Sequence, residues 1–122
     1  MKALTSRYSS KKFLHISRSG KFNLENAKAS RKHLTPLLEG YTVERILSDC
    51  RNVDFVDVRA VDIYVLLKEL KDNFPDCRRM ALLHKSIPAN LLKHYQAGGE
   101  RYDIEFSAHT ELDEAKTWLC MH

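Results

Sequence analysis

Cysteine, glycine and proline are all scarce in this chain of 122 residues, which holds three, four and three of them. Cys50, Cys77 and Cys120 are an odd number with no CxxC pair, so neither a disulfide framework nor zinc-ligand spacing is present, and they read as buried free thiols. Four glycines leave no glycine-rich phosphate loop, and GxSxG, HExxH and HxxxH are all missing. The six histidines (His15, His33, His84, His94, His109 and His122) are scattered over separate elements, so no metal site is expected. No apolar run approaches the roughly 18 residues of a membrane span. The opening MKALTSRYSSKK lacks the apolar core of a secretory leader. These absences lead us to expect a cytoplasmic protein that is not an enzyme and carries no cofactor.

What is present is a globular balance, 43% hydrophobic and 30% charged, long enough for one core and read as a single domain over residues 1–122. The net charge of +4 hides an asymmetry. Residues 1–35 carry nine Lys or Arg against Glu25 alone, whereas the remainder carries eleven basic and fifteen acidic residues. A basic face of this kind can meet nucleic acid, an anionic membrane or an acidic partner. The plainer reading is a lysine-protected edge strand and a solvated helix face. Because no aromatic platform or recognition-helix motif accompanies the charge, nucleic acid is the third choice of partner.

Along the chain, residues 4–8 and 12–17 read as two strands around a Ser9-Ser10 turn, and Gly20 ends the pair. Asn23 caps a helix through Leu38, with Leu24, Ala27, Leu34, Leu37 and Leu38 on one side and Lys28, Arg31 and Lys32 on the other. A strand over 43–50, a helix over 58–73 and a buried strand over 79–84 follow. Ser86 caps the next helix, with Pro88 in its first turn, and Gly98-Gly99 ends it. Residues 102–107 alternate as a half-exposed strand, and Thr110 with Asp113 forms a capping box for a last helix lined by Leu112, Ala115, Trp118 and Leu119. Strands alternating with helices give an α/β fold with a mixed, mainly parallel sheet of about five strands and four helices.

The stretch DCRNVDFVDVRAVDIYVLLKEL, residues 49–70, holds the one unusual helix. Asp57 stands just ahead of it, where an acid serves as a cap. Apolar residues then cover most of the circumference and leave Arg59, Asp62 and Glu69, with Leu66 among them, as a narrow exposed strip. Such a helix is buried on several sides or packs against a partner or ligand. The order of a strand, Asp49, Val53, Phe55-Val56-Asp57 and a helix ending Leu66-Leu67-Lys68-Glu69-Leu70 resembles the signature of the STAS superfamily, the fold of the bacterial anti-sigma-factor antagonists. The tail from Glu111 to Leu119 is similar to the last helix of single-domain proteins grouped with STAS and Sec14-like domains. In antagonists that work as phosphorylation switches, the Asp is followed by two serines and a glycine, the second serine accepting the phosphate. Here those positions are Val58, Arg59 and Ala60. The resemblance thus implies the fold and a partner-binding surface at this helix start, without a serine switch.

Ligands of parallel sheets favour the crevice beyond the carboxyl ends of the strands. That edge gathers Asp57, Arg59 and Asp62, then His84, Lys85 and Ser86, then His109 and Thr110, and Arg59, His84 and Lys85 with free helix amides could hold a small anion. The bland reading makes Ser86 and Thr110 caps and the rest ordinary loop residues. Two functions follow as expectations: a regulatory or protein-interaction module, with a protein partner or a second copy as homodimer, and a carrier or sensor of a small apolar or lipid-like ligand. They differ in whether the apolar helix flanks an exposed patch or an enclosed cavity.

Overall fold

A computed structural model describes residues 2–8, 11–38, 40, 42–55 and 58–121, apart from the side chains at 2, 3, 7, 33–35 and 37. The Ser9-Ser10 turn, Val56, Asp57, His122 and the side chains of His33, Leu34 and Leu37 therefore lie outside the described residues. The elements run β1 (Lys2–Tyr8), β2 (Lys11–Lys21), α1 (Leu24–Leu37), β3 (Arg45–Asp54), α2 (Ala60–Asn73), β4 (Arg79–Leu83), α3 (Ala89–Tyr102), β5 (Glu105–His109) and α4 (Leu112–Cys120). The strands form one sheet in chain order. β1 pairs antiparallel with β2, and every later pairing is parallel, with Leu14 opposite Ile46, Ile46 opposite Met80 and Met80 opposite Phe106. This is the mixed, mainly parallel arrangement that alternating strands and helices require.

Period-2 alternation splits the strand side chains between two faces. Leu14, Ile16, Ile46, Met80, Leu82 and Phe106 join Ile63, Leu67 and Leu70 of α2 and Leu91 and Tyr95 of α3 in the larger core cluster. Phe13, Leu47, Ala81 and Leu83 point the other way, against Ala115, Leu119 and Cys120 of α4. α1 and α3 flank α2 on either side. No described helix is long and apolar enough to cross a membrane.

Four boundaries differ from the sequence reading by three residues or more, each for a physical reason. β2 passes through Gly20, at φ +86°, and continues to Lys21 because residues 19–21 regain pairing with Asn52, Val53 and Asp54 beyond a register shift. For the same reason β3 extends to Asp54. α3 does not end at Gly98-Gly99 but runs on to Tyr102, stopped by Asp103 in the left-handed region at φ 57°. The glycines are there for contact: a Cβ at Gly98 would run into Leu67 Cδ1, and one at Gly99 into the Ile104 carbonyl oxygen. β5 accordingly starts at Glu105, three residues later than the alternation suggested.

Capping differs too. Asn23 does cap α1, its Oδ1 accepting the Asn26 amide at 2.7 Å. The cap residues of α3 and α4 are Pro88 and Glu111, neither with a side-chain bond, so Ser86 and Thr110 are not caps. α2 begins at Ala60 with Arg59 as its cap residue, two places beyond Asp57. Asp62 and Leu66, expected on the exposed strip of α2, are buried, and the exposed residues are instead Ala60, Val61, Lys68, Asp72 and Asn73. What covers the expected strip is α1: Lys28 Nζ lies 3.4 Å and Arg31 Nη1 3.8 Å from the Glu69 carboxylate, and Arg31 Nη1 donates to the Leu66 carbonyl at 2.6 Å. The basic face of α1, taken as solvated, is in part a face turned to α2.

Candidate functional site

Parallel strands deliver their loops to one edge of the sheet, and there the segments after β3, β4 and β5 carry the residues picked out in the sequence. Arg59 sits in extended backbone at φ −98°, ψ 152°, and its carbonyl accepts the Asp62 and Ile63 amides that open α2. Its side chain reaches forward over the same turn. Nη2 donates to Asp62 Oδ1 at 3.1 Å and Nε to Oδ2 at 3.3 Å, a bidentate fork. That hydrogen bonding holds the Asp62 carboxyl below its ordinary range and raises the guanidinium. An acid in the first turn also suits the positive end of the helix. The Arg59 side chain remains 75% exposed, and next to it Val61 is 56% exposed, one of the few large apolar side chains facing solvent.

His84 behaves differently from the sequence expectation of an anion ligand. Its Nδ1 accepts the Ser86 amide at 2.9 Å, which leaves the proton on Nε2, 3.1 Å from the Val53 carbonyl oxygen to which it donates. Both ring nitrogens are thereby committed to tying the loop after β4 to the end of β3. The ring also stands edge-on to Phe55 at 4.9 Å, and Phe55 contacts Phe22 at 5.3 Å, so an aromatic row caps the ends of β2, β3 and β4. Lys85, Ser86 and Thr110 are exposed, and among the described residues Arg59 is ion-paired with Asp62 and not with them. His109, half-buried, contacts the Trp118 ring at 5.8 Å, and burial lowers its pKa. The edge therefore divides into a rigid aromatic seal under His84 and a charged, partly apolar knob formed by Arg59, Val61 and Asp62.

A second polar network lies on the face of the sheet shared with α4. Asp49, buried near the middle of β3, receives Arg51 Nε at 2.9 Å on Oδ1 and Arg51 Nη2 at 2.6 Å on Oδ2, with His15 Nε2 at 3.2 Å. Burial acts to raise the Asp49 pKa, but hydrogen bonds from Arg51 and His15 outweigh it and the net shift is downward. A buried carboxylate needs such partners. The signal in the sequence was Asp49 standing inside the buried run Ile46 to Cys50, two residues from Arg51 and so on its face of the strand. The partner His15 came only from the register of β2 on β3.

A depression of about 720 Å³, open to solvent, lies elsewhere, at the start of β5 between Gln96 and Glu100 of α3 and Trp118 of α4. Among the described residues no group of three His, Cys, Asp or Glu side chains is placed to hold a metal ion.

No family model matches the sequence, and no curated protein matches it. Among solved structures, the chain is similar to an uncharacterized protein from the DUF3478 family with a SpoIIAA-like fold, from Shewanella loihica PV-4. The likeness has a TM-score of 0.64 at 20% identity and covers 98% of this chain and 93% of the other. The fold is therefore SpoIIAA-like, as the STAS resemblance implied.

Proposed function

We propose that this is a non-catalytic regulatory module of the cytoplasm that docks a protein partner through the first turn of α2. The observation that carries the reading is the pairing, on one rigid turn, of a solvent-facing Val61 with an Arg59 fork held in place by Asp62. With Nε and one Nη2 hydrogen given to Asp62, the Nη1–Nη2 end of the guanidinium is left to take a partner's carboxylate or phosphate, and an adjacent apolar side chain supplies the desolvated contact that interfaces build on. With Val58, Arg59 and Ala60 where the switch antagonists carry two serines and a glycine, the surface is permanently charged and needs no phosphorylation.

The alternative, a carrier of an apolar ligand, draws less support. The surplus apolar surface of α2 that suggested it is taken up inside the fold, since Ile63, Leu67 and Leu70 pack with Leu14, Ile46, Leu91 and Tyr95. The test uses the tagged protein as bait in chemical cross-linking and pull-down from bacterial lysate, with Arg59→Ala and Val61→Glu in parallel. Both variants should lose the captured protein while keeping the parent melting temperature; retention of the same protein by both would reject the reading. Native mass spectrometry run beside it separates the rivals: a small-molecule adduct released on denaturation would favour the carrier, and a doubled mass a homodimer.

A further inference from the structure

β5 is an outer strand of the sheet, bordered by β4 on one side only. The Glu105 amide donates to the Arg78 carbonyl at 2.8 Å, and the His84 amide to the His109 carbonyl at 3.0 Å. In a parallel ladder a residue turns both its main-chain groups to one side, and the residues before and after it turn theirs to the other. Glu105, Ser107 and His109 thus spend their groups on β4, whereas Phe106 and Ala108 present theirs to the open edge. That edge is the floor of the 720 Å³ depression. Gln96, Gly99, Glu100 and Asp103, which share one face of α3 by their helical spacing, form one wall, and Trp118 of α4 the other. Of the five residues of β5 only Glu105 carries a fixed charge of the kind that guards exposed edges.

The edge is complementary to itself. In an antiparallel pair of two β5 strands, one register uses every outward group: Phe106 opposite Ala108 of the second copy and Ala108 opposite its Phe106, each pair exchanging both bonds, with a two-fold axis between the Ser107 residues. Sliding one way brings Ala108 to Ile104, whose amide is already given to the Gly99 carbonyl at 2.8 Å. Sliding the other way brings Phe106 to Thr110, beyond the end of the strand. In the favoured register Glu105 of each copy stands opposite His109 of the other, on the face that also carries Ser107. The Glu105 side chain is 69% exposed, and the His109 Nε2, which is buried, has no hydrogen-bond partner among the described residues. Opposed pairs of this kind stabilise a sheet, and no like charges fall opposite each other along β5. Glu100 and Asp103 sit at the start of β5, which this register separates from the start of the second strand by roughly 13 Å at 3.3 Å per residue. That exceeds the Debye length of about 8 Å.

We propose that β5 is a self-docking edge, through which two copies of the chain join antiparallel about Ser107 into one continuous sheet. The surface is separate from the first turn of α2, and neither reading depends on the other.

The test combines disulfide trapping with sedimentation equilibrium on the whole chain. The two Ser107 residues form a non-hydrogen-bonded pair, whose Cα atoms lie about 4.5 Å apart, within the roughly 4.4–6.8 Å that a disulfide spans. The native cysteines are buried, so Ser107→Cys supplies the reactive thiol. At micromolar protein under mild oxidation it should form a covalent dimer about tenfold or more faster than Lys68→Cys, on the exposed face of α2, because pairing raises the local thiol concentration. The parent should show a reversible dimer. Ala108→Pro removes an outward amide and no bond to β4, and should weaken that dimer by about tenfold or more. Glu105→Lys, which sets a cation against His109, should also weaken it, and it decides if the proline variant fails to fold. Arg59→Ala and Val61→Glu should leave the dimer unchanged. A parent that stays monomeric up to about 1 mM, the weak limit for a specific contact, would overturn the proposal. So would equal trapping of Ser107→Cys and Lys68→Cys, or a dimer lost in the α2 variants and kept in Glu105→Lys.

Discussion

Replacing Gly99 by alanine sets two effects of opposite sign against each other. Alanine in place of glycine inside a helix is worth about 1 kcal/mol in propensity, so a glycine needed only for flexibility would yield a more stable protein. In this fold the added methyl would collide with the Ile104 carbonyl oxygen and lie 2.8 Å from Phe106 Cδ2. The obstacle is backbone, and it is not free to yield: the Ile104 amide donates to the Gly99 carbonyl at 2.8 Å, and the Glu105 amide to the Arg78 carbonyl at 2.8 Å, which together fix the start of β5. Overpacking of this kind costs about 1–3 kcal/mol, and more where backbone must move, so the net expectation for Gly99→Ala is a loss of about 2 kcal/mol. For a domain of this size that lowers the melting temperature by roughly 5–10 °C. Gly98→Ala meets side chains and no backbone, the end of Leu67 at Cδ1 and the Tyr64 ring at 3.3 Å, and should lose about 1 kcal/mol after the propensity gain. Urea unfolding followed by circular dichroism measures both. A Gly99→Ala protein as stable as the parent, or more so, would refute the close approach of α3 to β5.

Leu67, 2% exposed and wedged against Gly98, should lose about 3 kcal/mol as Leu67→Ala, and Leu67→Asp should not fold at all; a folded aspartate variant by circular dichroism would remove Leu67 from the core. Asp49 has a folded pKa below its unfolded value near 3.9, so its contribution to stability is complete above about pH 4 and is lost as the pH falls below that through the folded value. Asp49→Asn should therefore be less stable than the parent at neutral pH and converge with it in acid; a gap of constant size from pH 7 down to pH 2 would contradict the network with Arg51 and His15. Burial pushes the Cys77 thiol up to about 11 and also raises Cys50 and Cys120, so a thiol-specific reagent at pH 8 should react slowly with the native protein and rapidly with all three cysteines in denaturant. Immediate native reaction at Cys77 would show that its site opens to solvent.

Element order and type were legible because each depends on local periodicity: the alternation of Phe13, Leu14, His15 and Ile16, the apolar run 80–83, and the helical stripe of α4 are present in the residues themselves. What was not legible depended on contacts across the chain. Gly98-Gly99 has the composition of a helix stop, and only the neighbouring Leu67 and Ile104 reveal that it is a crossing point. Ser86 and Thr110 are good capping residues that lost the cap position to Pro88 and Glu111, since the loops after β4 and β5 set where the helices begin. Asp62 looked exposed because a carboxylate usually is; Arg59, three residues earlier, satisfies it and lets it be covered. Asp57, chosen as both cap and site residue, lies outside the described residues, while Arg59 stands at the start of α2 where the resemblance put it.

The charge asymmetry between residues 1–35 and the remainder acquires a local meaning from the same contacts. In sequence it looks like one basic surface awaiting one acidic partner. In the fold the cations are divided: Lys28 and Arg31 hold α1 against Glu69 and the Leu66 carbonyl of α2, while Arg18 and Lys21, three residues apart on β2, lie on opposite faces of the sheet. A polyanion such as nucleic acid binds by neutralising many phosphates along one continuous face, and its affinity grows with the number of cations that face supplies. Cations committed to an interhelical contact or divided between the two faces of the sheet add little to such a face.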